Sequence, residues 1–338
     1  MNPNKPRAIA LYSGGLDSTL AILVMMRHGV EIEAVKFLTH FGCDMGDHSS
    51  CGADPYPAAE QFGFNVRLSH LGWKFVDIVR NPKHGHGRNM NPCIDCRLLM
   101  LREARDYMEM TKSDFIITGE VLAQRPMSQM RKTMEMISHE SDLDGRLVRP
   151  LSGRLLPPTK PEIDGLIKRE WLLDICGRSR KRQIELARQF GLRSYPTPAG
   201  GCLLTDENYS ARLRDLFTFG GGIEFNDFNL LRHGRHFRIS HKTKLILGRN
   251  QKENETLLSL ARPDDTILEV IDIGSPVGIL RGTAEPADIE KSAAIIVRFS
   301  DAKNADSAAV AVRSAHLSRQ IDSAAADDAL IAQCKIGK

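Results

Sequence analysis

The chain reads as an α/β protein: a doubly wound parallel sheet followed by a second, smaller α+β domain. Three observations predict this. Ala8-Ile9-Ala10-Leu11-Tyr12 is a short continuous apolar run, the pattern of a strand buried on both faces of a parallel sheet. Strand-like and helix-like segments alternate from there to Gly119. Beyond Gly220-Gly221-Gly222 the segments 236–248 and 266–280 are strand-rich and suit a small α+β module.

Taken in order, residues 18–28 (STLAILVMMRH) predict a helix that Gly29 can end. Glu31–Leu38 predicts a second strand, followed by a loop holding Cys43 and Cys51. A helix is expected at 57–63, a third strand at Asn65–Leu71, a long helix at 92–110 and a strand at Phe115–Thr118. Residues 150–165, rich in Pro and Gly, mark a connection. Helices are expected at 168–176 and 179–190, then a second Pro/Gly-rich loop at 195–205. The three glycines at 220–222 place the domain boundary, giving 1–222 and 223–338. No repeat with a period of about 20–50 residues is visible.

A length of 338 residues suits two domains, and 42% hydrophobic with 26% charged residues is ordinary for a globular protein. The net charge is 46 minus 42, or +4, but the basic residues cluster. Residues 168–193 hold eight Lys/Arg against three Asp/Glu, and 228–252 hold seven Lys/Arg, three His and no acid. Such runs suit a polyanion such as RNA, or form a solvated face. No apolar run of about 18 residues predicts a membrane span, and no signal peptide precedes the first strand. Seven cysteines, an odd number in a long chain, argue against a disulfide framework and for metal or catalytic roles. The expected location is the cytoplasm.

Ser13-Gly14-Gly15-Leu16-Asp17-Ser18 lies between a buried strand and a helix. There, backbone N–H groups can face a phosphate, and the helix dipole favours the negative charge. The glycines permit close approach, and Ser13 and Ser18 can donate hydroxyl hydrogen bonds. Asp17 beside a phosphate needs a role, either in holding Mg²⁺ or in capping the loop. No Lys follows the glycines, so this is not the GK[ST] loop, and it is not GxGxxG.

Asn91-Pro92-Cys93-Ile94-Asp95-Cys96 opens a helix, with Asn91 as expected N-cap and Pro92 at the first position. Cys93 and Cys96 then share one side, near a helix terminus that stabilises thiolates. Cys202 follows Pro198-Ala199-Gly200-Gly201, whose glycines let that loop approach the pair. Three thiolates could hold a 4Fe–4S cluster with one iron open. Alternatively, Cys96 and Cys202 could be a persulfide carrier and a resolving thiol.

The loop Ser13–Ser18 resembles the signature of the PP-loop ATP pyrophosphatase superfamily, whose sheet is Rossmann-like. That resemblance implies ATP cleavage between the α and β phosphates, with adenylation of a substrate oxygen. Asn91–Cys96 is similar to the catalytic-cysteine segment of tRNA 2-thiouridylases, in many of which an Asp stands at the place of Cys93. The loop ending in Cys202 resembles their second cysteine loop. Ile117–Gln124 with Ser128-Gln129, and Val148–Leu151, resemble tRNA 4-thiouridine synthetases. The resemblance spans about residues 8–205, without the N-terminal RNA-binding region or C-terminal rhodanese domain of many such synthetases. With the extra Cys93, it favours the cluster over a rhodanese relay.

It implies sulfur insertion into a tRNA uridine, with ATP and Mg²⁺ as cofactors and sulfide or a cysteine desulfurase system as donor. The implied site comprises Ser13, Gly14, Gly15, Asp17, Ser18, Phe37, Thr118 and Gly119 for the nucleotide. Cys93, Cys96 and Cys202 are the implied metal ligands, and Cys96, Cys202 and Asp17 the catalytic groups. Arg97, Arg125 and Gln129 are candidates for RNA or AMP phosphate, and Glu120 lies at the same strand end.

Other Cys and His residues fit less well. His40, Cys43, His48 and Cys51 crowd one loop, but their spacing matches no common zinc pattern, so a lid near the nucleotide is expected. His84 and His86 could line a tRNA entrance or sit in a Gly-rich loop. Cys176 is expected in a helical core and Cys334 in the tail.

Leu245–Asn254, Leu260–Asp265 and Ala293–Lys303 are similar to the RNA-binding domain of NFACT proteins. This gives the basic run a purpose, with Lys244 within it and Arg249 and Asn250 in a turn on RNA. The leading expectation is an ATP-dependent tRNA uridine thiolase, and a homodimer is compatible with a tRNA-sized substrate. A PP-loop ligase or amidotransferase acting on a small carboxylate, and an ATP-gated RNA-binding protein, are the competing readings.

Overall fold

The structure, a computed structural model, describes residues 5–41, 54–195, 202–315 and 317–338. It divides into two compact units, Met1–Thr205 and Asp206–Lys338. The division falls ahead of the glycines at 220–222, because a helix over Glu207–Phe219 belongs with the second unit.

In the first unit, β1 (Arg7–Leu11), α1 (Leu16–Arg27), β2 (Glu31–Leu38), α2 (Tyr56–Phe62) and β3 (Asn65–His70) follow in order. Next come α3 (Gly72–Arg80), α4 (Cys93–Thr111), β4 (Phe115–Thr118), α5 (Arg131–Glu140), β5 (Leu147–Val148), α6 (Lys160–Ile163) and α7 (Lys181–Phe190). The sheet order is β3-β2-β1-β4-β5, and every pairing is parallel. The doubly wound reading is therefore borne out. The chain winds outward through β2 and β3, then restarts at β4 on the other side of β1, so the switch point lies between β1 and β4. Ligands of open α/β sheets bind outside the carboxyl ends of the strands at such a point.

Alternation explains the layers. Ala8, Ala10 and Tyr12 pack on one face with Leu16, Leu20 and Val24 of α1 and Ala187 of α7. Ile9 and Leu11 point to the other face, and α4 packs against β1 and β4 without adding to that first layer. Gly29, at φ +84°, ends α1 in a conformation that a side chain would strain.

The segment 168–176 is not a helix. A short 3₁₀ turn over Arg169–Trp171 leads into extended chain, whose Leu173 and Ile175 N–H groups donate to Pro150 and Leu151 at 2.7 and 2.9 Å. Its donors are satisfied by the neighbouring segment, and Leu172 and Ile175 bury in the first layer. Cys176 is accordingly exposed and forms an isolated bridge to Leu122, rather than sitting in a helical core.

The second unit runs α8 (Glu207–Phe219), α9 (Phe225–Leu230), β6 (Arg235–Ser240), β7 (Thr243–Leu247), α10 (Gln251–Leu260), β8 (Thr266–Val270) and β9 (Gly278–Gly282). It continues with α11 (Pro286–Arg298), β10 (Ala308–Ser314), β11 (Leu317–Ser323) and α12 (Asp328–Cys334). Its six-stranded sheet, β11-β10-β8-β9-β7-β6, is antiparallel throughout. Phe237, Leu245, Leu247, Leu268 and Val310 face α11 on one side, while Ile246 and Ile279 meet Leu230 and Leu257 on the other. Cys334, expected in a loose tail, is buried in the larger of these cores.

At the switch point Gly119 has no room for a side chain. A Cβ there would lie 2.5 Å from the backbone N and Cα of Ser18. Gly119→Ala is therefore expected to lower stability by about 1–3 kcal/mol, the usual cost of overpacking. Equilibrium urea unfolding checks this, and wild-type stability would show that the two segments are not held so closely.

Candidate nucleotide and thiol site

The phosphate loop caps β1 and opens α1, as its sequence predicts. Gly14 takes φ +79°, a turn that glycine makes without strain. The hydroxyls knit the loop internally. Ser18 Oγ donates to Gly15 O at 2.9 Å and lies 3.1 Å from Ser13 Oγ, and Thr19 Oγ1 donates to Gly15 O at 3.0 Å. One contact went unread in the sequence: Lys36, buried in β2, sends its ammonium to Ser13 O at 3.4 Å. A lysine inside the apolar run EIEAVKFL was the available signal. Phe37, also buried, falls on the opposite face of β2 from Lys36.

Asp17 Oδ2 accepts from Gln124 Nε2 at 2.9 Å and Arg180 Nη2 at 3.3 Å. Its Oδ1 is buried and has no partner among the described residues. A carboxylate with one satisfied and one orphaned oxygen fits a hard cation that takes oxygen ligands, so Asp17 suits Mg²⁺. Gln124 and Arg180 were not singled out from sequence. Gln124 closes the segment Ile117–Gln124, and Arg180 stands in the first basic run.

The chain after β4 is tightly determined. Thr118 and Gly119 stand at the carboxyl end of the strand. Ala123 and Met127 adopt φ +60° and +73°, which cost non-glycine residues free energy. Gln129 pays that cost by accepting from Ala123 N through its carbonyl at 2.7 Å and from Arg125 N through Oε1 at 3.1 Å. Gln129 is thus buried as a loop clamp rather than open to RNA. Glu120 is buried too. It accepts from Arg149 Nε and Thr118 Oγ1, each at 3.0 Å, and pairs with Arg97 Nε at 3.3 Å. Burial opposes ionisation of Glu120, but Arg97 and Arg149 overcome it and hold the carboxyl below its ordinary range. Arg97 is therefore committed to Glu120 before any phosphate arrives, whereas Arg125 is exposed.

Helix α4 begins at Cys93, with Pro92 rather than Asn91 as N-cap. The Asn91 side chain instead acts on the Cys93 thiol, drawing its pKa down. Burial pushes that thiol up, and Asn91, Arg125 and Arg97 only partly offset it. The expected thiolate-stabilising helix terminus does not prevail at Cys93, because desolvation penalises the charged form more. Cys202 accepts from Thr205 N at 2.7 Å through its carbonyl. Leu204 and Thr205 are in turn tied to the start of α4: Met90 N donates to Leu204 O at 3.1 Å, and Asn89 Nδ2 to Thr205 O at 2.8 Å. The Cys202 turn is thus stitched to the chain that leads into Cys93. No group of three or more Cys, His, Asp or Glu side chains suited to one metal ion is gathered among the described residues.

The histidines of the preceding loop serve the fold. His84 Nδ1 lies 3.0 Å from Asp95 Oδ1 and Nε2 lies 3.2 Å from Glu140 Oε1, and the bond to Asp95 raises its pKa. His86 Nε2 meets Val79 O at 2.8 Å. His40 packs its ring 4.2 Å from that of His70, while Cys43, His48 and Cys51 lie outside the described residues.

In the second unit the basic run 228–252 is largely spent internally. Lys244 pairs with Asp215 at 2.9 Å, and burial pushes its pKa down to about 8. This corrects its reading as an RNA contact, because strand alternation turns it onto the Ile246 face. Arg238 binds the same carboxylate at 2.7 and 2.9 Å, and His236 is buried against His233 O at 2.8 Å. Asn250 caps α10 by accepting from Glu253 N at 3.0 Å. Arg249, half exposed, pairs with Glu253.

Residues 4–160 match the family described as thiamine biosynthesis protein (ThiI), and 234–333 match the NFACT protein RNA binding domain. The ThiI match lies within the first unit. The second carries an NFACT-type RNA-binding domain, as the sequence led us to expect. The chain is 27% identical over 156 residues to a probable tRNA sulfurtransferase of Thermococcus kodakarensis, covering 44% of this chain and 37% of that protein. It is 23% identical over 250 residues to the tRNA-specific 2-thiouridylase MnmA of Stutzerimonas stutzeri, covering 71% and 63%. The chain therefore spans less than two thirds of either relative. A solved 4-thiouridine synthetase–RNA complex with bound ATP shares 19% identity at a TM-score of 0.32, covering 55% of this chain and 52% of that one.

Two outcomes are expected from this geometry. Arg149→Ala leaves buried Glu120 with Arg97 as its one cation and Thr118 as a donor, and should cost about 3 kcal/mol in urea unfolding, the low end for breaking a buried pair. Cys93 should alkylate slowly at neutral pH. Its rate should rise only above the ordinary thiol range, because the thiolate forms at higher pH when the pKa is raised. Peptide mass spectrometry across pH checks this, and a fast rate at pH 7 would contradict the effect of burial.

Proposed function

We propose that the chain is an ATP-dependent tRNA uridine thiolase. The observation that carries this reading is the loop after β4, which links the phosphate loop to the thiols. Gln124 holds Asp17, and the charge of the adjacent Arg125 bears on Cys93. This supports a reading in which a nucleotide at the one and a sulfur group at the other act together. The names of the relatives, a tRNA sulfurtransferase and a 2-thiouridylase, agree.

In the proposed reaction a uridine carbonyl oxygen attacks the α phosphorus of ATP, and pyrophosphate leaves. A sulfur nucleophile then adds at the activated carbon, and AMP departs with the oxygen. Ser13, Gly14, Gly15 and Ser18 would bind the pyrophosphate portion, Thr118 and Gly119 would border it, and Asp17, with its orphaned oxygen, would hold Mg²⁺. Arg125, Arg249 and Asn250 are the RNA contacts retained from the sequence reading. Cys93, Cys96 and Cys202 are the thiols that would handle sulfur; they are not gathered as one metal site among the described residues, so a 4Fe–4S cluster would require the Cys202 turn to bring its thiol to the other two. Held there, such a cluster would supply the iron that takes up sulfide. The partners are tRNA and a donor of sulfide or a cysteine desulfurase system, in the cytoplasm, with a homodimer as the assembly.

Mass spectrometry of tRNA nucleosides from cells lacking the protein should show the loss of one thiolated uridine, and an unchanged profile would sink the reading. Cys96→Ser and Cys202→Ser should each cut thiolation by about 100-fold or more while tRNA-stimulated pyrophosphate release persists. Anaerobic reconstitution should give a brown protein with stoichiometric iron. A colourless, iron-free and active enzyme would replace the cluster with persulfide transfer through Cys96 and Cys202.

A further inference from the structure

The second unit carries an open groove that the thiolation site does not use. Phe219 at the end of α8, Arg238, Ser240 and His241 at the end of β6, and Lys291 of α11 line it, with Gln333 of α12 closing one side. We propose that this groove seats one base of a single-stranded RNA segment, stacked on the Phe219 ring, with a flanking phosphate on Lys291. The inference rests on the RNA-binding reading of this unit and names where that binding occurs.

Phe219 is the first reason. It is 36% exposed, in a unit where Phe228 and Phe237 are fully buried. An open ring costs hydrophobic stabilisation unless something covers it in use. The ring is also fixed in place. The Arg238 guanidinium carbon lies 4.9 Å from its centroid, and the His241 ring packs at 5.5 Å and 61°. Arg238 is itself anchored by the two bonds to Asp215. The Phe219 ring is preorganised, so little ordering cost falls on binding.

Charge is the second. Asp215 answers two cations, Arg238 and Lys244, so one carboxylate is outnumbered beneath the groove. Lys291 is exposed and has no carboxylate partner among the described residues, and no Asp or Glu lines the groove. Asp288, which accepts from Ser240 Oγ at 3.0 Å, is buried and also holds Thr243 Oγ1 at 2.9 Å. The surface thus pairs a flat apolar ring with positive charge, the combination that binds single strands through stacking and phosphate contact. An acidic peptide would use the cations but not the ring.

Size is the third. The groove encloses about 180 Å³, below the ~300–1,000 Å³ of pockets that swallow a whole small ligand. It suits one planar ring with the sugar and phosphate left at the rim, as in a chain passing over it. Stacking tolerates any base, so the groove would hold tRNA without selecting the modified position.

The test is fluorescence anisotropy of the full chain with a labelled single-stranded oligouridylate, across a salt series. Phe219→Ala should weaken binding by about 10-fold or more, the effect of losing one stacked base. Phe219→Trp, which keeps a ring, should bind as wild type, and Phe219→Leu, which keeps bulk without the ring, should behave as Ala. Lys291→Gln should reduce the slope of log affinity against log salt by about 0.7, one phosphate contact on a single strand. Wild-type affinity and slope in Phe219→Leu and Lys291→Gln would overturn the groove assignment while leaving the RNA-binding reading intact. No binding of either the oligomer or tRNA by the wild-type chain would overturn both. Competition by free UMP as effective as by the oligomer, per nucleotide, would assign the groove to mononucleotides and overturn the RNA proposal.

Discussion

Gly119 and the first turn of α1 occupy nearly the same space. The carboxyl end of β4 comes within 2.5 Å, measured from a would-be Cβ, of the backbone at Ser18. That approach places the strand after the switch point directly against the phosphate loop, and much of the first unit follows from it. The chain leaving β4 must turn at once. It does so through residues with positive φ that Gln129 holds in place, and the turn delivers Gln124 to Asp17. Lys36 steadies the loop from the β2 side through Ser13 O. The phosphate loop is thus bounded by backbone, a buried ammonium and a carboxylate with one oxygen to spare.

Buried charge is the second organising feature, and it reassigns residues that look free in one dimension. A charge leaves water only when it is paired. Glu120 takes Arg149 and Arg97, and Asp215 takes Arg238 and Lys244. Arg281 binds Asp265 and Asp227 at 2.6 and 2.8 Å. Basic residues that sequence reading assigns to RNA are therefore partly internal braces. The positive surface of the second unit includes Lys291, which no carboxylate among the described residues claims, and the half-exposed Arg249.

The legible parts were those set by local rules. The apolar run at 8–12, the helix stopped by Gly29, the strand Glu31–Leu38 and the strand ending at Thr118 were read within two residues, because burial leaves an unbroken apolar signal. The helices Gly72–Arg80 and Arg131–Glu140 went unread, since each buries only a few apolar residues, such as Phe75, Val76 and Val79 or Met134 and Ile137. The hairpin of β10 and β11 was equally silent, its alternation interrupted by Arg and Ser. The segment 168–176 has helical composition but found its hydrogen-bond partners in residues 150–151, a neighbour 20-odd residues away in sequence.

Local chemistry alone was enough to place a phosphate loop between a buried strand and a helix, to put two thiols on one helical turn, and to mark two units of different class. These depend on dihedral freedom, periodicity and spacing, which neighbouring residues settle among themselves. Tertiary structure decided what each charged or polar group does once it is there. It made Asn91 a thiol partner instead of a cap, turned Gln129 into a clamp and Lys244 into a core cation, tied the Cys202 turn to the start of α4, and left Phe219 open beside Lys291. The pairing of Lys244 with Asp215 and of the Cys202 turn with the start of α4 joins residues distant in sequence, and long-range pairing of that kind leaves no periodic trace along the chain.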